Sequence, residues 1–157
     1  MAYVHFTRRL YAQIDTALRA QFSEELLEID AAPLPDAAFQ IGDPTAFMGE
    51  AVALMYVGTK REREAAYWVE TAYSYELHLF ALGVDTQDVQ YRMMDLEYAA
   101  RQVLDSNKTM GGLLRTLVTG DSEPVAFNLT PGQMIGGIGF PFVCQPATRI
   151  AIPEHTP

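Results

Sequence analysis

Cysteine is almost missing from this sequence: Cys144 is the single one. No intramolecular disulfide can form, and a reducing compartment is the natural setting. Cys144 lies in the apolar run Phe140-Pro141-Phe142-Val143-Cys144, where a free thiol is expected to be buried and inert. Its nearest basic neighbour in sequence is Arg149, too distant to favour an activated thiolate. Basic residues are also scarce, with Lys+Arg 11 against Asp+Glu 20 and a net charge of −9. That balance argues against a protein built to hold phosphate backbones, an affinity that Lys and Arg supply. It is compatible with a surface past which nucleic acid slides without adhering. No apolar run approaches the ~20 residues needed to span a bilayer. Met1 to Phe6 lacks the basic stretch and apolar core of a signal peptide, so a soluble protein made in the cytoplasm is expected.

Chemical motifs are missing as well. The three histidines, His5, His78 and His155, stand at no metal-ligand spacing, and there is no Cys-x-x-Cys or His-Glu-x-x-His. There is no Gly-x-Ser-x-Gly elbow. Gly132, Gly136, Gly137 and Gly139 could suggest a phosphate cradle, but Gly139 is followed by Phe140-Pro141 and not by Lys-Ser/Thr, and no helix follows. They are expected as turn and bulge residues between strands. The pair Arg8-Arg9 is too small for a nucleic-acid patch. No metal, cofactor or catalytic residue is expected.

What is present is the composition of a folded protein: 157 residues, 49% hydrophobic and 20% charged. That length suits one domain, taken as 1–152 with a loose tail at 153–157. Residues 3 to 22 place Phe6, Leu10, Ile14, Ala17, Leu18 and Phe22 on one helical stripe. Glu25 to Ala31 is either a short strand or the tail of that helix, and Pro33 and Pro35 then interrupt any regular pairing or helix. Phe39 to Ile41 alternates briefly. Ala51 to Val57 reads as a buried strand. The charge run Gly58 to Glu64 reads as a solvated hairpin tip, or as a loop that grips a neighbouring subunit.

Ala65 to Ala81 carries the clearest signal. Tyr67, Val69, Thr71, Tyr73, Tyr75, Leu77 and Leu79 share one parity, and Glu70, Ser74, Glu76 and His78 share the other, so a long two-faced strand is expected. Its length exceeds the usual five or six residues, so it should bend or extend beyond the sheet. Asp85 or Thr86 can cap a second helix striped by Val89, Met93, Leu96, Ala100 and Val103, which Asp105-Ser106-Asn107 ends. Strands are expected at Leu113 to Val118, at Val125 to Leu129 and within Phe140 to Ile152, with Pro141 and Pro146 at an edge or bulge. This order predicts an α+β fold, a mainly antiparallel sheet with two helices packed on one face.

Two features on the polar parity of the long strand stand out. Glu76 and His78, two residues apart on one side, form either a surface pair or an inter-subunit contact. An enzyme using them beside the glycine-rich stretch is an alternative. Trp68 shares that parity, so a lone subunit would leave it exposed, and exposed aromatics mark interfaces. Trp68, Glu70, Glu76 and His78, with Lys60, Arg61 and Arg63 of the charge run, are therefore the candidate subunit-interface residues.

The chain resembles the tail terminator proteins of long-tailed bacteriophages, and more loosely the neck and tail-completion proteins that share their fold. The likeness lies in the opening helix at 3–22, in Trp68-Val69-Glu70-Thr71-Ala72-Tyr73-Ser74-Tyr75-Glu76-Leu77-His78-Leu79-Phe80 as a long central strand, and in the second helix. It continues through Met110-Gly111-Gly112-Leu113-Leu114-Arg115 and a closing strand near Ala147 to Ile152. Pro33 to Gly49 and the Pro-rich closing segment depart from the pattern. The resemblance implies a non-enzymatic homohexameric ring in the virion's tail or neck, assembled in the host cytoplasm. It would cap the tail tube protein, join a head–tail connector or stopper protein, and pass DNA through its lumen without specific binding or membrane contact. A different neck or tail-completion protein is the nearest alternative; a small enzyme or a ligand-binding α+β domain stands further off.

Overall fold

The computed structural model describes residues 6–41, 49–65, 68–130, 133–147 and 150–151. Helix α1 (Phe6–Glu28) leads through a 3-10 turn to β1 (Phe39–Ile41), β2 (Ala51–Ala65) and β3 (Trp68–Gly83). Helix α2 (Thr86–Ser106) precedes β4 (Leu114–Thr119), β5 (Glu123–Thr130), β6 (Gln133–Pro146) and β7 (Ile150–Ala151). The strands form one sheet in the order β1-β2-β3-β6-β4, with β5 also on β6 and β7 also on β3. Every pairing is antiparallel except the parallel β1–β2 contact. The α+β architecture expected from the sequence is the one observed. Among the described residues no helix is long and apolar enough to cross a membrane.

The two stripes do what their spacing requires. Leu10, Ile14, Ala17, Leu18, Phe22 and Leu26 of α1 are buried, as are Val89, Met93, Leu96, Ala100 and Val103 of α2. They share one core cluster with Tyr73, Tyr75, Leu77 and Leu79 of β3 and with Phe140, Phe142 and Cys144 of β6. Both helices thus lie on one face of the sheet. Each large apolar side chain taken fully out of water contributes roughly 1.5–3 kcal/mol. Aromatic contacts order the layer: Phe22 meets Phe39 edge-on at 5.8 Å, and Tyr75 stacks on Phe142 at 5.3 Å.

Glu25 to Ala31 is the tail of α1 and not a strand. Ala31 N–H donates to Leu26 O and Asp30 N–H to Leu27 O, with Asp30 at φ 56. This is a left-handed helix stop with Asp where Gly is usual. Ala31 then packs on the core that holds Leu26. Helix α2 begins where expected, with the Asp85 carboxylate accepting from Asp88 N–H at 2.8 Å.

Three expectations are corrected. Gly58 to Glu64 is not a hairpin tip: β2 runs on to Ala65, paired with β3 through register shifts at Val57 and Glu62. A strand needs backbone partners more than apolar side chains, and the long β3 supplies them. The glycines at 136, 137 and 139 do not separate strands; they lie inside β6, opposite Ala81, Phe80 and His78. Pro141 is likewise inside β6, opposite Glu76 on β3. Its other flank falls where β5 pairing ends at Gly139 and β4 pairing begins at Phe142. There Gly120 N–H donates to Pro141 O at 2.7 Å. A strand residue directs its N and C=O to the same side, so the missing N–H faces this gap and removes no ladder bond.

Candidate functional site

The face of the sheet away from the helices carries the residues singled out by parity. There Phe80 packs with Ala51 and Ala53 in a small second cluster. Glu76 stands between Met55 and Pro141, and His78 between Ala53 and Gly139. His78 Nε2 and Glu76 Oε2 are 3.1 Å apart, so the expected pair is real. The imidazole lies over the backbone of β6. A Cβ on Gly139 would fall 2.7 Å from His78 Cδ2 and 3.1 Å from Val125 Cγ1, and one on Gly137 would meet Phe80 at 2.9 Å. Gly137 and Gly139 are therefore places where side chains from both neighbouring strands lean across the backbone of β6.

A cavity of about 290 Å³ opens here, lined by Glu76, His78, Asp121, Glu123, Val125 and Pro141 among others. Asp121 and Glu123 escaped sequence reasoning: Asp121 comes from the β4–β5 connection and Glu123 opens β5, both more than forty positions from His78, and no spacing links them. The cavity presents carboxylates and one imidazole. Among the described residues no group of three or more His, Cys, Asp or Glu is arranged to hold a metal ion. Cys144 lies on the other face, opposite Tyr73, fully buried. Burial pushes its thiol up to about 12, the reverse of what a nucleophile needs.

The second feature is the β2–β3 ribbon. β3 pairs with β6 only from Tyr73 to Gly83, whereas β2 accompanies it from Phe80 back to Trp68. Residues 68–72 and their β2 partners therefore continue past β6 by about five residues, or ~17 Å. Among the described residues, only the two-residue β7 pairs with β3 there besides β2, opposite Trp68 and Val69. On the outer side of β2, β1 covers Val52 to Leu54. Lys60 is exposed opposite Ala72, Arg61 stands opposite Thr71, Arg63 opposite Glu70, and Trp68 opposite Ala65. The side chains of Arg61, Arg63, Trp68 and Glu70 lie outside the described residues, and with them the expected exposure of Trp68. The ribbon gathers these positions together, whereas Glu76 and His78 belong to the body of the sheet. Helix α1 starts beside the ribbon's base, where Phe6 contacts Tyr73 at 5.4 Å.

No protein-family model matches the sequence, and no curated protein matches it. A chain of a solved structure described as "Virion of native gene transfer agent (GTA) particle" is similar over 85% of this chain and 96% of its own, at 12% identity and a TM-score of 0.38. A likeness of that depth carries no argument about function.

Proposed function

We propose that this chain is a virion structural protein, a tail terminator that forms a hexameric ring, caps the tail tube and joins the tail to the head. The observation that carries the reading is the β2–β3 ribbon, which continues beyond the body of the sheet. A two-stranded ribbon is marginal alone, and this one, flanked among the described residues by the two-residue β7, gains from contact with another molecule. The residue pattern shared with tail terminators points the same way. In this reading Trp68, Glu70, Lys60, Arg61 and Arg63 meet a neighbouring subunit, and Glu76 and His78 line the sheet face turned toward a partner. The acidic balance, Asp+Glu 20 against Lys+Arg 11, lets DNA pass a lumen without adhering.

Negative-stain images of particles assembled without this protein test the role. Tails of uncontrolled length are expected, and tails of normal length would remove the terminator role. A neck or tail-completion ring would instead leave tails of normal length that fail to join heads. The enzyme alternative at His78 and Glu76 has its own test: it requires His78→Ala to abolish a turnover and leave assembly intact, whereas in the present reading His78→Ala weakens assembly and there is no turnover to lose.

A further inference from the structure

Helix α1 has groups of opposite charge near its two ends. At its start Arg8 and Arg9 are exposed and line a groove of about 580 Å³ with Gln13, Thr16 and the Met110–Gly111 turn after α2. Neither guanidinium has an ion-pair partner among the described residues. Just past the other end lies a groove of about 690 Å³, whose lining includes Asp30, Asp88, Asp95, Val84 and Tyr91. Among the described residues its one cation, Arg92, is held by Glu50 through bonds of 2.8, 3.0 and 3.1 Å. Asp30, Asp88 and Asp95 have no ion pair among the described residues and leave the groove acidic. Its wall also exposes apolar surface, with Val84 76% and Tyr91 57% accessible.

At 1.5 Å per residue the two ends lie ~30 Å apart, so the two patches cannot meet within one copy. The basic corner sits at the ribbon end, beside the Phe6–Tyr73 contact, and the acidic groove lies at the opposite end of β3, against Leu82 and Gly83. We propose that the acidic groove receives the Arg8–Arg9 corner of a second copy of this chain. A guanidinium suits this groove because it pairs with carboxylates and stacks on an aromatic face such as Tyr91. One patch then meets a different patch on the next copy, the head-to-tail contact that closes rings. The inference rests on the assembly reading but can fail separately from it.

Charge exchange tests it, read as molar mass against concentration by light scattering. Arg8→Glu with Arg9→Glu in one variant, and Asp88→Lys with Asp95→Lys in another, should each weaken self-association about tenfold or more. Their equimolar mixture should recover most of it, because every corner then faces a groove of opposite charge. If the lysine variant fails to fold, Tyr91→Ala, an exposed change that spares the helix ends, should weaken association in its place. A wild-type chain that stays monomeric to ~1 mM, charge variants that associate as the parent does, or a mixture no better than its components would each overturn the contact. Association that ignores these charges would remove this contact alone and leave the ring. Normal tails without the protein would remove the terminator role and leave the contact measurable.

Discussion

Gly139 and His78 show how much one missing methyl can decide. A Cβ at 139 would sit 2.7 Å from His78 Cδ2, so Gly139→Ala must turn the imidazole away and break its 3.1 Å contact with Glu76. The expected cost is about 1–3 kcal/mol in chemical denaturation, and it should shrink in the Gly139→Ala, His78→Ala double variant, where the colliding ring is gone. Equal losses in both backgrounds would mean that the clash is not with the ring. Tyr75 poses the opposite case. Its hydroxyl is buried and has no hydrogen-bond partner among the described residues, and burial, with Cys144 and then Tyr56 adding to it, raises its pKa well above the ordinary tyrosine range. Tyr75→Phe should therefore be neutral or stabilising by up to ~1 kcal/mol; a loss of more than that would reveal a water or another acceptor on the hydroxyl. Cys144 predicts the alkaline behaviour. Its thiol moves from 9.0 to about 12 on folding, so between those values the unfolded chain releases a proton that the folded chain keeps. Stability then falls as pH rises, by at most ~1.4 kcal/mol per unit from this group. Cys144→Ala should flatten the decline just above pH 9, leaving the later part, where Tyr75 titrates only in the unfolded chain.

At the scale of elements, α2 is fixed at both ends of its span by polar side chains. The Asp85 cap holds the first turn, and Asp85→Ala should cost about 1 kcal/mol. Further along, Arg101 pairs with Glu97 at 3.0 Å, donates to Thr119 and to Gly120 O, and lies 4.3 Å over the Phe140 ring. It ties the helix to the point where β6 changes partners. Arg101→Lys should cost nearly as much as Arg101→Ala, ~1–2 kcal/mol, since one ammonium cannot serve three acceptors and a ring at once. A lysine variant as stable as the parent would count against that. Both helices and β3 were legible because their periodicities of 3.6 and 2 persist over many residues. β6 was not, since glycine and proline ordinarily break strands; here they answer to His78, Val125 and Phe80 above and to a gap in the ladder beside. The charged half of β2 was illegible because a ribbon paired mainly on one side needs no apolar alternation. Of the cavity, sequence offered His78 and Glu76; Asp121 and Glu123 arrive through topology alone.

Taken whole, the molecule has two unlike ends. The ribbon and the Arg8–Arg9 corner stand at one, the acidic groove with Tyr91 and Val84 at the other. In the assembly proposed above, such a subunit meets copies of itself in one direction; a rotation that closes gives a ring, and one that does not gives an open filament. The ribbon should then be dispensable for folding and needed for assembly. The β3–β6 ladder from Tyr73 to Gly83 is formed by residues outside 62–70. Replacing those nine positions by Asn-Gly places a two-residue turn between Arg61 and Thr71, which already face each other across the ribbon. The shortened chain should keep its melting temperature to within about 4 °C, a change of roughly 1 kcal/mol. Its self-association should fall to that of a monomer. An unfolded product would place the ribbon within the folding core, and a product that assembles normally would deny it any part in the contact between copies.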